Sequence, residues 1–553
     1  VLFIAIDDLR PALGCYGDPI AKSPRIDTFA KTARQFNHAY VQQAVCGPSR
    51  TSILTGLLPD HTRVWHNRNK FRDTQPDHVT LPQLFKQHGY TTLALGKIFS
   101  GNEGELDPVS WSSPEILRKP GWSNYVLAEN KGNGKKQSAA EMADVPDNAY
   151  PDGQLASLAI KTLTTLKQQK KPFFLATGFF KPHLPFSAPK KYWDMHDAAS
   201  FDVPKEIRAS ITSMPNIALH THRELGGYKD MPKDENVSAE QRLHLRHGYY
   251  ACVSYIDQQV GRLLDALQQL DLDRNTIVVL CGDHGFTLGE QNRWCKATNF
   301  ELDTRVPLFI RTPWIPQKGV VTDALVELVD LYPTIMELLQ MEIPDFVRGK
   351  SLNPYLKGSK TPIRNSALTE LLVRTPQGMA QGYSIKTKRY RLNRWSHNNL
   401  LKYELYDHKD DRDELINLVF DQQYTKVLDS LKKVLEKRSR SQKIGVQKRF
   451  PQLPNDIIKS SWSGIVSRTR NSSQIFEKID SNIFAVGCYN GSGIGVGTLF
   501  GEQIALKAIN ENTSEIKTIE ARNKPTWLPP QPFLNLGIKT RLIYERLRAR
   551  SEI

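Results

Sequence analysis

The chain has 553 residues, with 39% apolar and 24% charged side chains and a mean hydropathy of −0.45. Those values exclude wholesale disorder, and 34 Gly with 33 Pro are too few for a collagen-like repeat. No uncharged apolar run reaches the roughly 18 residues of a membrane helix, which excludes a helical span.

At roughly 150 residues per domain the length predicts three or four domains and is ample for a large core. Seventy-four Lys and Arg against 58 Asp and Glu give a formal charge of +16. A surplus of that size favours acidic partners, whether nucleic acid, an anionic membrane surface, or a sulfated or phosphorylated substrate. Residues 441–553 hold 16 of the basic groups against 9 acidic ones, densest at 539–550. A solvated basic face on a terminal helix explains that run as simply as a binding site does. Six cysteines (Cys15, Cys46, Cys252, Cys281, Cys295 and Cys488) show no CxxC spacing and are too few for a disulfide scaffold. The chain opens on Val1 with no charged-then-apolar leader, which reads as a trimmed leader or a fragment.

In chain order, VLFIAI (1–6) is a short continuous apolar run ended by Asp7-Asp8, the pattern of a strand buried on both faces. Similar runs follow at 92–96, 173–178, 276–281 and 307–310. Helical patterns lie between them at 80–88, 153–169 and from Ser238 to about Leu270, the last opened by Ser238 with Gln241 three residues on. This alternation predicts an α/β fold with a mostly parallel sheet covered by helices on both faces, over residues 1–365. Residues 366–440 change texture: 382–395 and 403–410 alternate as antiparallel strands do, and a helical pattern runs from Tyr424 to Lys437. They predict a smaller α+β subdomain. Residues 441–460 read as a polar, proline-interrupted linker. In the remainder, 461–553, residues 482–510 read as strand, glycine-rich loop and helix.

In parallel sheets, sites form at the carboxyl ends of strands. Asp7-Asp8 follows the first strand and Asp283-His284 follows the 276–281 run. Carboxylates from two strand ends suit a hard divalent cation, Ca²⁺ or Mg²⁺, although helix capping or solvation explains such pairs as well. The segment Cys46-Gly47-Pro48-Ser49-Arg50, followed by Thr55-Gly56, alters the balance. It resembles the signature of type I sulfatases, in which the cysteine is oxidised to formylglycine. The resemblance spans residues 1–440 and is nearest the iduronate-2-sulfatase-like branch. It rests on FIAIDDLRPALGCYGD, QQAVCGPSR, GYTTLALGKIF, FFKPHLPF, GDHGFTLGEQNRWCKATNFE and ELYDHKDDRDELINL, in family order.

That resemblance implies an alkaline-phosphatase-like fold and hydrolysis of a sulfate ester on a sulfated sugar, rather than binding of nucleic acid. It implies that Asp7, Asp8, Asp283, His284 and modified Cys46 hold the cation, Ca²⁺ first and Mg²⁺ second. Arg50 would fix the formylglycine, Lys97 and Lys296 would grip sulfate oxygens, and His183 would protonate the departing alcohol. One hydroxyl of the aldehyde hydrate would attack sulfur, and the second would expel sulfate. A formylglycine-generating enzyme is the implied maturation partner, and export is the implied location. One position departs from the branch: Ser100 stands where a histidine is usual, and His66 and His88 are nearby in sequence. The substrate contacts in 59–72, including His61, Trp65, Arg68 and Arg72, stay open. A weakened or non-catalytic binder of sulfated glycans and a phosphoryl or phosphonate hydrolase are the competing readings.

The 461–553 tail resembles the C-terminal end of FAD-dependent oxidases of the glycine-oxidase type, through SWSGIVSRTRNSSQIF, IFAVGCYNGSGIGVGTLFGEQIA and WLPPQPFLNLGIKTRLIYERLR. Gly491, Gly493, Gly495 and Gly497 do not form a GxGxxG fingerprint, and no ADP-gripping half accompanies them. FAD binding is therefore not expected. A fusion remnant, or a frame or assembly error, fits the tail better than a module reused for other contacts.

Overall fold

The computed structural model describes residues 1–99, 107–113, 123–132, 136–202, 215–219, 224–234, 236–315, 319–398 and 400–439. Beyond them it describes 475–480, 483–487, 503–507, 511 and 513–521. The chain divides into two compact units, Val1–Arg440 and Ser441–Ile553. Ser100 and the tail glycines lie outside the described residues.

The first unit is built on an eight-stranded sheet. Its centre is parallel: Leu2–Ile6 lies between Val278–Gly282 and Phe173–Phe179, and Thr91–Gly96 extends it beyond Phe173–Phe179. Each of these strands is an apolar run buried along its length or nearly so. On the other side Leu308–Arg311 runs antiparallel to Val278–Gly282. Arg34–Tyr40 pairs antiparallel with both Leu308–Arg311 and Arg305–Val306, and parallel with Val321–Glu327. The sheet is therefore mixed, with its parallel part central. Arg34–Tyr40 (RQFNHAY) and Val321–Glu327 (VTDALVE) were not expected from the sequence, because neither is an apolar run.

Side-chain alternation along Leu2–Ile6 divides the core. Leu2, Ile4 and Ile6 face the helices Pro151–Gln169 and Ala239–Gln269, whose own Leu155, Leu163, Leu245 and Ile256 are buried with them. Phe3 and Ala5 face the other way, with Phe85 of Leu81–Gln87, Ile53 of Cys46–Thr55 and Ile335 of Leu331–Leu338. Each such Leu, Ile or Phe contributes about 1.5–3 kcal/mol by leaving water. The long helix starts at the expected place: Ser238 accepts from the Gln241 amide while the Gln241 side chain accepts from the Ser238 amide. Among the described residues no helix is long and apolar enough to cross a membrane.

Residues beyond 366 form a four-stranded antiparallel meander: Ala367–Thr375, Gly378–Lys386, Tyr390–His397 and Leu400–Asp407. The 382–395 segment is two strands joined at 387–389, not one. Helix Thr425–Ser439 lays Leu428, Leu431 and Leu435 against Leu368, Ile385, Leu392 and Leu405 of this sheet. Glu327, at the end of a main-sheet strand, accepts from Arg438 of that helix, pairs with Arg364, and accepts from the Leu368 amide at 2.7 Å. In the second unit, Ile475–Asp480 and Ile483–Gly487 pair antiparallel, and Ser514–Glu520 is a helix capped by Thr513.

Candidate active site

The residues singled out from the sequence converge at the carboxyl ends of the parallel strands. Asp7 and Asp8 follow Leu2–Ile6, Asp283 and His284 follow Val278–Gly282, Lys97 follows Thr91–Gly96, and His183 lies four residues past Phe173–Phe179. Parallel neighbours deliver these side chains to one edge because all four strands end there. Gly178 makes the Lys97 approach possible: a Cβ on it would stand 1.7 Å from the Lys97 carbonyl oxygen.

Cys46 is the first residue of Cys46–Thr55, with Val45 extended before it. Its Sγ is buried, 3.1 Å from His284 Nε2. Arg50, one turn along the helix, donates from Nε to Asp283 Oδ2 at 2.7 Å and from its terminal nitrogen to the Lys97 and Ile98 carbonyl oxygens. Ser49 Oγ donates to the Asp283 carbonyl oxygen. The helix start is thus fastened to two strand ends.

The ligand atoms of Asp7, Asp8, Cys46 and His284 all lie within 4.8 Å of one another. Asp7 Oδ1 is buried without a hydrogen-bond partner, which suits an oxygen meant for a cation. The two carboxylates and the imidazole, with Cys46 beside them, fit a divalent ion. Asp283 borders this set, but its carboxylate already accepts from the Asp8 and His284 amides (3.1 and 2.9 Å) and from Arg50.

Lysines close the site. Lys97 Nζ is 2.5 Å from Asp7 Oδ2, and Lys296 Nζ is 2.9 Å from both Asp8 oxygens. Burial works to raise the Asp7 carboxyl, yet Lys97, His183, Arg50 and Lys296 hold it well below the ordinary range. Burial lifts Asp8 to about 7 despite Lys296. Burial alone would strip His284 of its proton, but Asp283 and Cys46 raise it to about 10.

Two residues at the site were not singled out from the sequence. Glu224 Oε1 lies 3.2 Å from Lys296 Nζ and 3.3 Å from His183 Nε2. It sits in a polar loop with no motif around it. Lys181, buried, donates to the His183 and Pro185 carbonyl oxygens at 3.0 and 2.6 Å. Its place in KPHLPF was the only available hint.

Among the open residues, Arg72 is taken up by Asp107, Gln83 and the Pro76 and His78 carbonyl oxygens. It is a scaffold group rather than a sugar contact. Cys252 and Cys281 are buried and their thiols are pushed up to about 12 by burial, as packing cysteines are.

Residues 1–341 match the Sulfatase family, and residues 289–441 match the N-sulphoglucosamine sulphohydrolase C-terminal family. The chain belongs to the sulfatase family. It is 36% identical to iduronate 2-sulfatase of Mus musculus over 385 residues, covering 62% of this chain and 69% of that one. It is 30% identical to a sulfatase of Formosa agariphila over 457 residues, 79% and 86% of the two chains. Among solved structures, a phosphonate monoester hydrolase from Silicibacter pomeroyi aligns with TM-score 0.67 at 24% identity, covering 80% of this chain and 95% of that one. A 2-O glycosaminoglycan sulfatase aligns with TM-score 0.63 at 22% identity, covering 82% and 93%. These structural likenesses show the fold alone. Both family matches end by residue 441, so the oxidase resemblance of 461–553 rests only on the motifs quoted above.

Proposed function

We propose that this chain hydrolyses a sulfate ester on a sulfated sugar of the kind named in its iduronate 2-sulfatase relatives, with Cys46 converted to formylglycine. The observation that carries the reading is Cys46 at a helix start, 3.1 Å from His284 and grouped with Asp7 and Asp8. Formylglycine at position 46 supplies a geminal diol as nucleophile, and a divalent cation, Ca²⁺ before Mg²⁺, supplies charge to polarise a sulfate oxygen.

The chain's own residues do the rest. Asp7, Asp8, Asp283, His284 and modified Cys46 hold the cation, and Asp283 also orients Arg50 and the Asp8 backbone. Arg50, its planar donors fixed by Asp283 and two carbonyls, keeps residue 46 aimed at sulfur. Lys97 and Lys296 bind sulfate oxygens and stabilise charge that builds there. His183 gives its proton to the leaving alcohol. A formylglycine-generating enzyme is the required maturation partner, and export is the location that the family resemblance implies.

Peptide mass spectrometry across Cys46, on protein made together with a formylglycine-generating enzyme, tests this reading. An aldehyde in place of the thiol, with multiple turnover of sulfate esters, is expected. An unmodified thiol in folded, metal-loaded protein would favour a sulfated-glycan binder. Turnover of a phosphonate monoester in preference to sulfate esters would favour the phosphonate hydrolase reading.

A further inference from the structure

The signature helix Cys46–Thr55 begins without a cap of its own. Val45 stands at the capping position in extended backbone, and its apolar side chain offers no acceptor. Pro48, third in the helix, has no amide hydrogen, and the Ser49 amide already donates to the Val45 carbonyl oxygen at 3.0 Å. The amides of Cys46 and Gly47 are left to be satisfied from outside the helix. Gly47 is buried, and a buried amide without an acceptor is costly.

Asn67 supplies that acceptor from another part of the chain. Its Oδ1 takes the Gly47 amide hydrogen at 2.8 Å, and only the carbonyl end of an asparagine side chain can accept. The loop that carries Asn67 is itself braced. Asn69 Oδ1 accepts from the Trp65 and His66 amides at 3.2 and 3.0 Å, and the Asn69 amide donates to the His66 carbonyl oxygen at 3.0 Å. Gln43, buried just before the signature, donates from Nε2 to the Trp65 carbonyl oxygen at 2.9 Å. Loop 65–69 is thereby fastened to the chain on both flanks of Cys46.

Gly47 lets the loop come this close. A Cβ at 47 would stand 3.0 Å from Asn67 Oδ1, 3.1 Å from Asn67 Cα and 3.4 Å from the His66 carbonyl oxygen. The space left by the missing side chain is the space that Asn67 fills.

We infer that Asn67 is a positioning residue that caps the signature helix from outside, with Gly47 as its matched counterpart. It fixes where the helix start, and with it the side chain of residue 46, stands against Asp7, Asp8 and His284. The inference rests on the sulfatase reading of the site. Ser49 and Arg50 anchor the same helix to Asp283, Lys97 and Ile98, on the side of the strand ends. Asn67 holds it from the loop side, at the amide next to residue 46. A misplacement of about 1 Å at a reacting group can cost about 10²-fold in rate, so a loosened first turn is expected to show in kcat.

Kinetics on the full, metal-loaded chain test this, with the aldehyde content of each variant measured by peptide mass spectrometry and rates expressed per formylglycine. The substrate is 4-nitrophenyl sulfate, which has no sugar for Asn67 to touch. Asn67→Ala should lower kcat at least about fivefold and leave KM within about twofold. Asn67→Asp, which keeps an accepting oxygen at the same reach, should recover most of that loss. Gly47→Ala should also lower kcat, and Gly47→Ala combined with Asn67→Ala should be no slower than the worse single variant, because both break one contact. Unchanged kcat per formylglycine with a lower Tm would make the cap structural only and overturn the inference. A loss confined to KM, or losses that multiply in the double variant, would overturn it too, and each of these results leaves the sulfatase reading intact. A wild-type chain that carries formylglycine yet turns over no sulfate ester would sink the sulfatase reading instead.

Discussion

Arg50 Nε donates to Asp283 Oδ2 at 2.7 Å, so a guanidinium on the signature helix is locked to the carboxylate that ends a central strand. Both side chains are buried, and the rest of the guanidinium reaches the Lys97 and Ile98 carbonyl oxygens. Removing one partner of a buried pair typically costs about 3–5 kcal/mol, because the other charge is left uncompensated. Arg50→Ala should therefore lower the urea midpoint by a corresponding amount and abolish turnover. Arg50→Lys should keep more of the stability but still lose turnover, since an ammonium cannot match the forked contacts.

Cation binding should stabilise the folded chain, because the unfolded chain has no preformed set of ligands. At one hundred times Kd a bound ion adds about 2.7 kcal/mol. Calcium titrated into chelator-treated protein should raise Tm in calorimetry. Asp7→Asn should remove that rise, whereas substituting His66, which is not in the ligand cluster, should not.

Gly178 pairs with Gly96, and its carbonyl oxygen accepts from the Lys97 amide at 2.8 Å. A methyl at 178 meets the Lys97 carbonyl oxygen and carbon at 1.7 and 2.3 Å, both backbone atoms. Gly178→Ala should displace Lys97 and reduce kcat/KM at least about tenfold, with an accompanying overpacking cost of about 1–3 kcal/mol. A variant that retains full activity and stability would refute the close approach.

His196 gives a pH dependence remote from the catalytic residues. It is buried, its Nε2 donates to Ser254 Oγ at 2.9 Å, and Ser254 in turn donates to the Lys22 carbonyl oxygen. Burial, with His247 and Lys22, lowers its pKa to about 4 from 6.5. Between those values the unfolded chain binds the proton and the folded chain does not, so acid favours unfolding. The contribution of His196 to stability is complete above about pH 6.5 and declines as pH falls toward 4. His196→Gln should flatten the urea midpoint against pH over that window relative to wild type.

Glu327 joins the main sheet to the smaller subdomain by accepting from the Leu368 amide and pairing with Arg364 and Arg438. Glu327→Ala leaves Arg438 and the Leu368 amide without their acceptor, while Arg364 keeps Asp330, and should cost about 1–3 kcal/mol in urea unfolding. Simultaneous loss of near- and far-ultraviolet dichroism is expected if both sheets unfold together.

The central strands, the long helices and the chemistry of the signature are legible in the order of residues alone. A strand buried on both faces must be apolar throughout, and a helix start needs its cap, so 1–6, 173–178 and Ser238 declare themselves locally. Asp7-Asp8 and Asp283-His284 were legible for the same reason: they interrupt apolar runs where a parallel sheet opens. Contacts between distant segments set what local pattern could not. Arg34–Tyr40 is a strand because it gains hydrogen-bonding neighbours on both sides, not because of its composition. Arg72 looked available for a sugar until Asp107, distant in sequence, paired with it. Glu224 is an ordinary acidic residue in the chain, and only folding sets it between Lys296 and His183. Periodicity reports which faces are buried, whereas the partner of a charged group is chosen by contacts that no local window contains.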